Sequence, residues 1–281
     1  MKTTSGVLSL ALLGAMCSCS ASDEGQATET VAFSLRYDGA EVGCADSMQG
    51  VGTSDSDIEL RDARFFIHDI KVVTEDGASH ELKLDSTEWQ RDGVALIDFA
   101  DDTGLCETGS PETNRTITGT HDADGDGDVV GIEFTLGLPK ELNHLDAARS
   151  PAPLNASGMA WSWTGGYKYA RIDARSEANE NWYIHLGATG CEGSPAEGIE
   201  CLFENRARIQ VDGLSETPTI VLDLEKLYEG SDLDAPIDYQ TDFVNGCMAF
   251  SGDPECAPIF EALGMTFEDE NTTAQSAFHG E

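Results

Sequence analysis

Residues 158–173, G-M-A-W-S-W-T-G-G-Y-K-Y-A-R-I-D, gather side chains suited to redox chemistry: two of the four tryptophans in the chain, a methionine and two tyrosines. Side chains alternate across a strand, so Met159, Trp161 and Trp163 are expected on one face. Gly165 and Gly166 loosen the backbone, and Tyr167, Tyr169 and Arg171 resume the alternation. The result is an oxidisable aromatic and thioether face, although tryptophans in a strand also serve simply to fill a core.

A second pattern is H-D-A-D-G-D-G-D-V-V-G-I-E at 121–133. Asp122, Asp124 and Asp126 hold positions 1, 3 and 5 of a calcium loop, Gly127 the turn position, Asp128 position 7 and Glu133 position 12. Alternate carboxylates converge when the backbone wraps a hard cation, so calcium is the implied ligand, against the alternative of a solvated acidic turn. The flanks read as strands, which places the loop in a β-hairpin.

Of six histidines, two lie within strands beside aromatic residues. His68 shares a face with Phe66, Ile70 and Val72, and His185 shares one with Tyr183, opposite Trp182, Ile184 and Leu186. Two inward imidazoles beside a Met/Trp face would suit copper, since both of its oxidation states accept imidazole and thioether donors. A lone inward histidine is otherwise a satisfied core residue. The chain carries no G-x-S-x-G elbow, H-E-x-x-H, phosphate loop or dinucleotide fingerprint.

Sixteen Lys and Arg against 52 Asp and Glu leave a formal net charge of −36, which repels nucleic acid and anionic membranes and favours cations or a basic partner. The N-terminus has one basic residue and an apolar run over 7–16 too short to cross a bilayer, the pattern of an export signal over residues 1–20. Cleavage before Cys19, preceded by the small Ser18, would give a lipid-anchored protein. Cys17 or plain cleavage near Ala21 are the alternatives. The expected location is the periplasm or cell surface, with the membrane touched only through such an anchor. Removing Cys17 and Cys19 from eight cysteines leaves six, an even number in an oxidising compartment. Cys191 with Cys201 and Cys247 with Cys256 are close enough to staple local loops, leaving Cys44 for Cys106, out of fifteen connectivities.

The elements that must hold these residues are short strands separated by Gly, Asp and Asn turns. They are expected at 31–37, 58–73, 80–84, 94–99, 113–118, 129–138, 167–174, 182–186, 206–211 and 219–222, with helical turns at 224–228 and 258–263. This reads as an all-β chain, an antiparallel sandwich or barrel with long disulfide-stapled loops. Residues 21–30 read as a flexible tether, 31–267 as one β domain and 268–281 as a disordered acidic tail.

Several segments together resemble a known family: G-C-A-D-S-M-Q-G-V-G (43–52), L-R-D-A-R-F-F-I-H-D-I (60–70), V-A-L-I-D-F (94–99), L-P-K-E-L-N-H (138–144), G-M-A-W-S-W-T-G-G-Y-K-Y (158–169), H-L-G-A-T-G-C (185–191) and C-M-A-F-S-G-D-P-E-C (247–256). In that order they resemble the four-Cys-motif proteins of the metallo-mystery pair system, the family of the methanobactin-associated periplasmic protein. The resemblance implies an exported copper-binding protein, not an enzyme. It is encoded beside a MauG-like di-haem c-type cytochrome peroxidase that oxidises a tryptophan of its partner to kynurenine. A related copper-repressible surface protein of methanotrophs holds copper with histidines and such a kynurenine. Carried to matching positions, the resemblance implies Trp161 or Trp163 as the oxidised residue and His68 and His185 as copper ligands, with His144 in reserve. The reading from a different class is a calcium-stabilised cell-surface adhesion or carbohydrate-binding module, in which intact tryptophans would form a sugar platform.

Overall fold

The computed structural model describes residues 25–122, 127–162, 165–194, 196–215, 217–236, 244–268 and 273–281. The first elements are β1 (Gln26–Tyr37), β2 (Ala40–Glu41), β3 (Ser47–Val51), β4 (Ser56–Thr74), β5 (Ser79–Glu81), β6 (Lys83–Leu84), β7 (Gln90–Arg91) and β8 (Val94–Asp98). Then come β9 (Thr116–Asp122), β10 (Val129–Leu136), α1 (Lys140–Asn143), β11 (Ala170–Ser176), β12 (Trp182–Leu186), β13 (Thr189–Ser194) and β14 (Gly198–Phe203). The chain closes with β15 (Ala207–Asp212), β16 (Thr219–Asp223), α2 (Leu224–Tyr228), β17 (Gly246–Cys247), α3 (Cys256–Ala262) and β18 (Phe278–Gly280).

Two sheets form a sandwich. One runs β18-β16-β1-β9-β6, and the other β15-β10-β4-β11-β12-β17 with β3, β5 and β8 also on β4. The all-β expectation holds, but pairing is mixed: β1 with β16 and β12 with β17 are parallel. Alternation explains the filling between the sheets. Phe33 of β1 and Phe278 of β18 meet Phe65 of β4 and Phe134 of β10 edge to face, with ring centroids 5.5–6.2 Å apart.

The long strand β4 organises the second sheet because it changes neighbours along its length. It pairs with β11 through residues 58–65 and with β10 through residues 67–74. Each of these two pairings carries a bulge. One lets Leu60 pack in the core while Asp62 faces out, and the other sits by Asp69, whose φ of +49° is a left-handed conformation that Asp tolerates better than most residues. The outward face then carries Asp62, Arg64, Phe66 and His68 in a row, beside Arg171 and Asp173 of β11 and Tyr183 and His185 of β12.

Both ends of the β domain extend past the sequence reading. Residues 26–30, expected in the tether, pair with residues 118–122 of β9. The tail expected to be disordered closes the first sheet: Phe278 and Gly280 pair with β16, and Ala277 and Phe278 are buried. Acidic composition concealed one apolar pair large enough to dock a strand. The expected strand at 113–118 lies at 116–122, and the hairpin β13–β14 was not anticipated because its glycines and glutamates lack apolar alternation.

The three disulfides pair as expected, Cys44–Cys106, Cys191–Cys201 and Cys247–Cys256. Residues 1–24, with Cys17 and Cys19, lie outside the described residues. Among those described, no helix is long and apolar enough to cross a membrane.

Candidate functional site

Among its described residues the tryptophan segment 158–169 is closed by hydrogen bonds within itself and belongs to no named strand. Trp161 N–H donates to Gly166 O and Gly166 N–H to Ser162 O, with an isolated bridge between Ala160 and Tyr167 below. Glycine is required where this turn meets α1: at Gly166, φ is +73° and a Cβ would lie 2.8 Å from atoms of Asn143. The Asn143 side-chain oxygen in turn accepts from Tyr167 N–H. The single oxidisable face expected from alternation is therefore split. Met159 is fully buried, Trp161 is half-buried at the surface, and Trp163 lies outside the described residues.

Trp161 rests on His185. Their ring centroids are 6.5 Å apart, and Phe250 flanks the indole at 6.2 Å. Gly187 lets the indole in, since a Cβ there would approach its six-membered ring to 2.5 Å. Sequence pattern placed His185 correctly on the face opposite Trp182, Ile184 and Leu186, all of which are buried.

His185 is 6 % exposed, and its Nε2 lies 2.8 Å from Asp173 Oδ1. Burial lowers the His185 pKa, against the opposing pull of Asp173. Burial would raise Asp173, but the bond from His185 and the charges of His185 and Arg171 outweigh it and hold the carboxyl below its usual value. A neutral imidazole donating Nε2–H to a carboxylate leaves Nδ1 as an acceptor, and that Nδ1 is buried without a partner. An orphaned buried lone pair is costly to keep, and it is the donor that a soft or borderline metal takes.

Behind His185 runs a buried ion chain that sequence reading did not identify. Arg171 bonds Asp173 at 2.8 Å and Asp62 at 3.1 Å, and Arg64 grips Asp62 through two nitrogens at 2.7 and 2.5 Å. Thr108 also donates to Asp62, and Lys168 donates to Gly158 O with its pKa lowered by burial to about 8. The available signal was the alternation of opposite charges, Asp62 with Arg64 in β4 and Arg171 with Asp173 in β11.

The other expected ligands separate into different neighbourhoods. His144, just after α1, approaches Cys201 Sγ at 3.4 Å, and its neighbour Asn143 holds the tryptophan turn, so His144 lies beside the motif. His144, Cys191 and Cys201 are the one trio of potential ligand atoms found within 4.8 Å of one another among the described residues, but disulfide sulfurs are not thiolates. His68 does not join them. Arg64 stands opposite Arg171 and His185, whereas His68 is four residues further along β4, about 13 Å at ~3.3 Å per residue. Its Nδ1 bonds Gly137 O, and it lines a separate cleft with Arg206 and Glu204.

The acidic motif divides likewise. Asp124 and Asp126 lie outside the described residues. Asp122 and Asp128 line one cavity, but Glu133 is held within β10 between Lys71 and Gln210 and bonds Ser79. Glu133 thus sits within a paired strand and does not line the cavity that Asp122 and Asp128 share.

Phe250, one of four exposed large hydrophobic side chains among the described residues with Leu145, Leu202 and Val244, lies on Trp161. An exposed aromatic beside a half-exposed indole is a surface that a protein partner would cover.

A family model described as MbnP matches residues 26–249. No curated protein matches the chain. Among solved structures, MbnP from Methylosinus trichosporium superposes with a TM-score of 0.79 at 29 % identity, covering 91 % of this chain and 98 % of that one.

Proposed function

Since the chain belongs to the MbnP family of methanobactin-associated proteins, we propose that it is an exported copper-binding protein whose Trp161 is opened to kynurenine by a MauG-like di-haem cytochrome peroxidase. The observation that carries this reading is the half-exposed indole resting on a buried, neutral His185 with an unpartnered Nδ1.

Converting an indole to N-formylkynurenine breaks its C2–C3 bond and places one oxygen on each carbon. If two waters supply the oxygens, four electrons and four protons leave, and two peroxides at the partner haem protein consume them to give four waters. Hydrolysis then releases formate and leaves an aniline. Trp161 suits this chemistry because the surface side of its ring admits a protein oxidant and water, while His185 is a base within ring-contact distance on the other side. Exposed Phe250 beside the indole gives a partner something to dock against, and the net charge of −36 favours one with a basic surface.

Copper would be held by His185 Nδ1 and the new aniline nitrogen, with His144, next to the Asn143 that holds the tryptophan turn, as the reserve histidine of the motif. Asp173 fixes the tautomer and orientation of His185, as carboxylates do for metal-bound imidazoles.

Peptide mapping of protein from its native source, with metal analysis, tests both parts. The peptide containing Trp161 is expected to carry kynurenine, and His185→Ala is expected to weaken copper binding by about tenfold or more, with His68→Ala without effect. Intact Trp161 throughout would remove the oxidation step. Unchanged copper affinity in His185→Ala would remove the ligand assignment.

A further inference from the structure

A cavity of about 350 Å³ lies on the outer face of the second sheet, where β4 and β8 meet the loops 108–110 and 152–157. Arg64 of β4 with Leu96 and Asp98 of β8, all buried, line it from the sheet. The half-buried Trp89 and the buried Pro153 add apolar walls, and exposed Glu88 stands at the rim.

Arg64 and Asp98 are directly opposite in the register of β4 and β8, so their side chains leave the sheet on the same face. They nevertheless form no ion pair. Arg64 turns to Asp62 through Nε and Nη2, and its Nη1 bonds Ser157 O. Asp98 keeps one partner: Oδ1 accepts from Ala100 N–H at 2.8 Å, and Oδ2 has no hydrogen-bond partner among the described residues. The residue is only 5 % exposed, and a buried carboxylate is ordinarily paired at both oxygens. Burial pushes this carboxyl up to about 6, so it is mostly ionised at pH 7 and its charge is held at a cost. Bonding one backbone N–H does not require that charge, because an asparagine oxygen would accept the same bond without it.

The surroundings select the missing donor. Trp89, Leu96 and Pro153 offer a flat ring and aliphatic surface but no oxygen ligands, which disfavours a hard inorganic cation. Glu88 adds a second carboxylate, Arg64 is already engaged, and the net charge of −36 draws cations. A neutral hydroxyl would bond Oδ2 and leave its charge uncompensated, whereas an ammonium both bonds and neutralises it. The face of an indole is also a favourable neighbour for a cation.

We propose that this cavity binds a small organic cation, a protonated amine on a flat apolar body, with the ammonium on Asp98 Oδ2 and the body against Trp89 and Pro153. Neither His185 nor Trp161 lines the cavity, so the assignment stands apart from the copper reading.

The test is calorimetric titration of benzylamine, and of benzyl alcohol as its uncharged isostere, into the untagged, metal-free full chain at pH 7. Asp98→Asn and Trp89→Ala are titrated alongside; the first keeps the acceptor for Ala100 N–H and therefore the local fold. Benzylamine is expected to bind one equivalent, about tenfold or more tighter than benzyl alcohol. Asp98→Asn should remove that preference by weakening the amine alone, and Trp89→Ala should weaken both compounds. Three outcomes would each overturn the proposal: no saturable benzylamine binding, equal affinity for the two compounds in the parent, which would indicate a pocket that reads hydroxyls, or unchanged benzylamine affinity in Asp98→Asn.

Discussion

Two buried groups near the site oppose each other in their response to pH. His185 titrates below its ordinary value because burial disfavours its charged form. The unfolded chain therefore takes up the proton first as pH falls below about 6.5, and stability is lost going down. Asp98 behaves inversely. Burial pushes its carboxyl up to about 6, so the folded state holds the proton longer and stability declines as pH rises from about 4 towards 6. Asp98→Asn is expected to keep the acceptor for Ala100 N–H and remove that decline, stabilising the protein at pH 7 by up to about 2 kcal/mol with little change near pH 3.5. Urea melts at the two pH values measure this, and equal shifts at both would refute it. Asp62→Ala should do the opposite, leaving Arg64 and Arg171 buried without their shared carboxylate at a cost of about 3–5 kcal/mol. A third change tests the indole cradle. Gly187→Ala would push against Trp161 and against Tyr167 O, and it is expected to move the Trp161 fluorescence maximum towards that of exposed indole without abolishing the fold.

At the scale of elements, the unexpected strand β18 makes a sharp prediction. Phe278 joins the aromatic cluster between the sheets, and Gln275 bonds its backbone at both ends, so the C-terminus is part of the core. Phe278→Ala is expected to destabilise by about 3–5 kcal/mol, a loss that a disordered tail would not produce. Chemical denaturation of the two proteins measures it, and a difference within error would return residues 273–281 to the tail. The bulges in β4 matter in the same way for the site. Without the bulge beside Asp62, that carboxylate and Leu60 would fall on one face, and the ion chain behind His185 would lose its centre.

For the whole molecule, the disulfides differ in reach. Cys44–Cys106 spans 62 residues, so by the chain-entropy relation it stabilises by about 4 kcal/mol, against about 3 kcal/mol for each of the two short staples. Replacing Cys44 and Cys106 with Ala should therefore lower the melting temperature more than replacing Cys191 and Cys201. Calorimetry on both double variants checks the order. The amino-acid sequence alone determined the all-β class and the inward face of β12, and pointed to the two short cysteine staples, because alternation and close spacing are local properties; Cys44–Cys106, 62 residues apart, followed only by remainder. It also marked residues 158–169, where tryptophans, glycines and a tyrosine stand together. Tertiary structure decided which of the marked residues meet. Alternation assigns a side chain to a face but does not reveal the neighbouring strand, so His68 and His185 read alike in sequence and separate along β4. Glu133 fits a calcium loop by count, but in the fold it belongs to the paired strand β10, while Asp122 and Asp128 line a cavity without it. Conversely Asp62, Arg171 and His185, or Arg64 and Asp98, share no local pattern at all. They come together only because long-range strand register places them side by side.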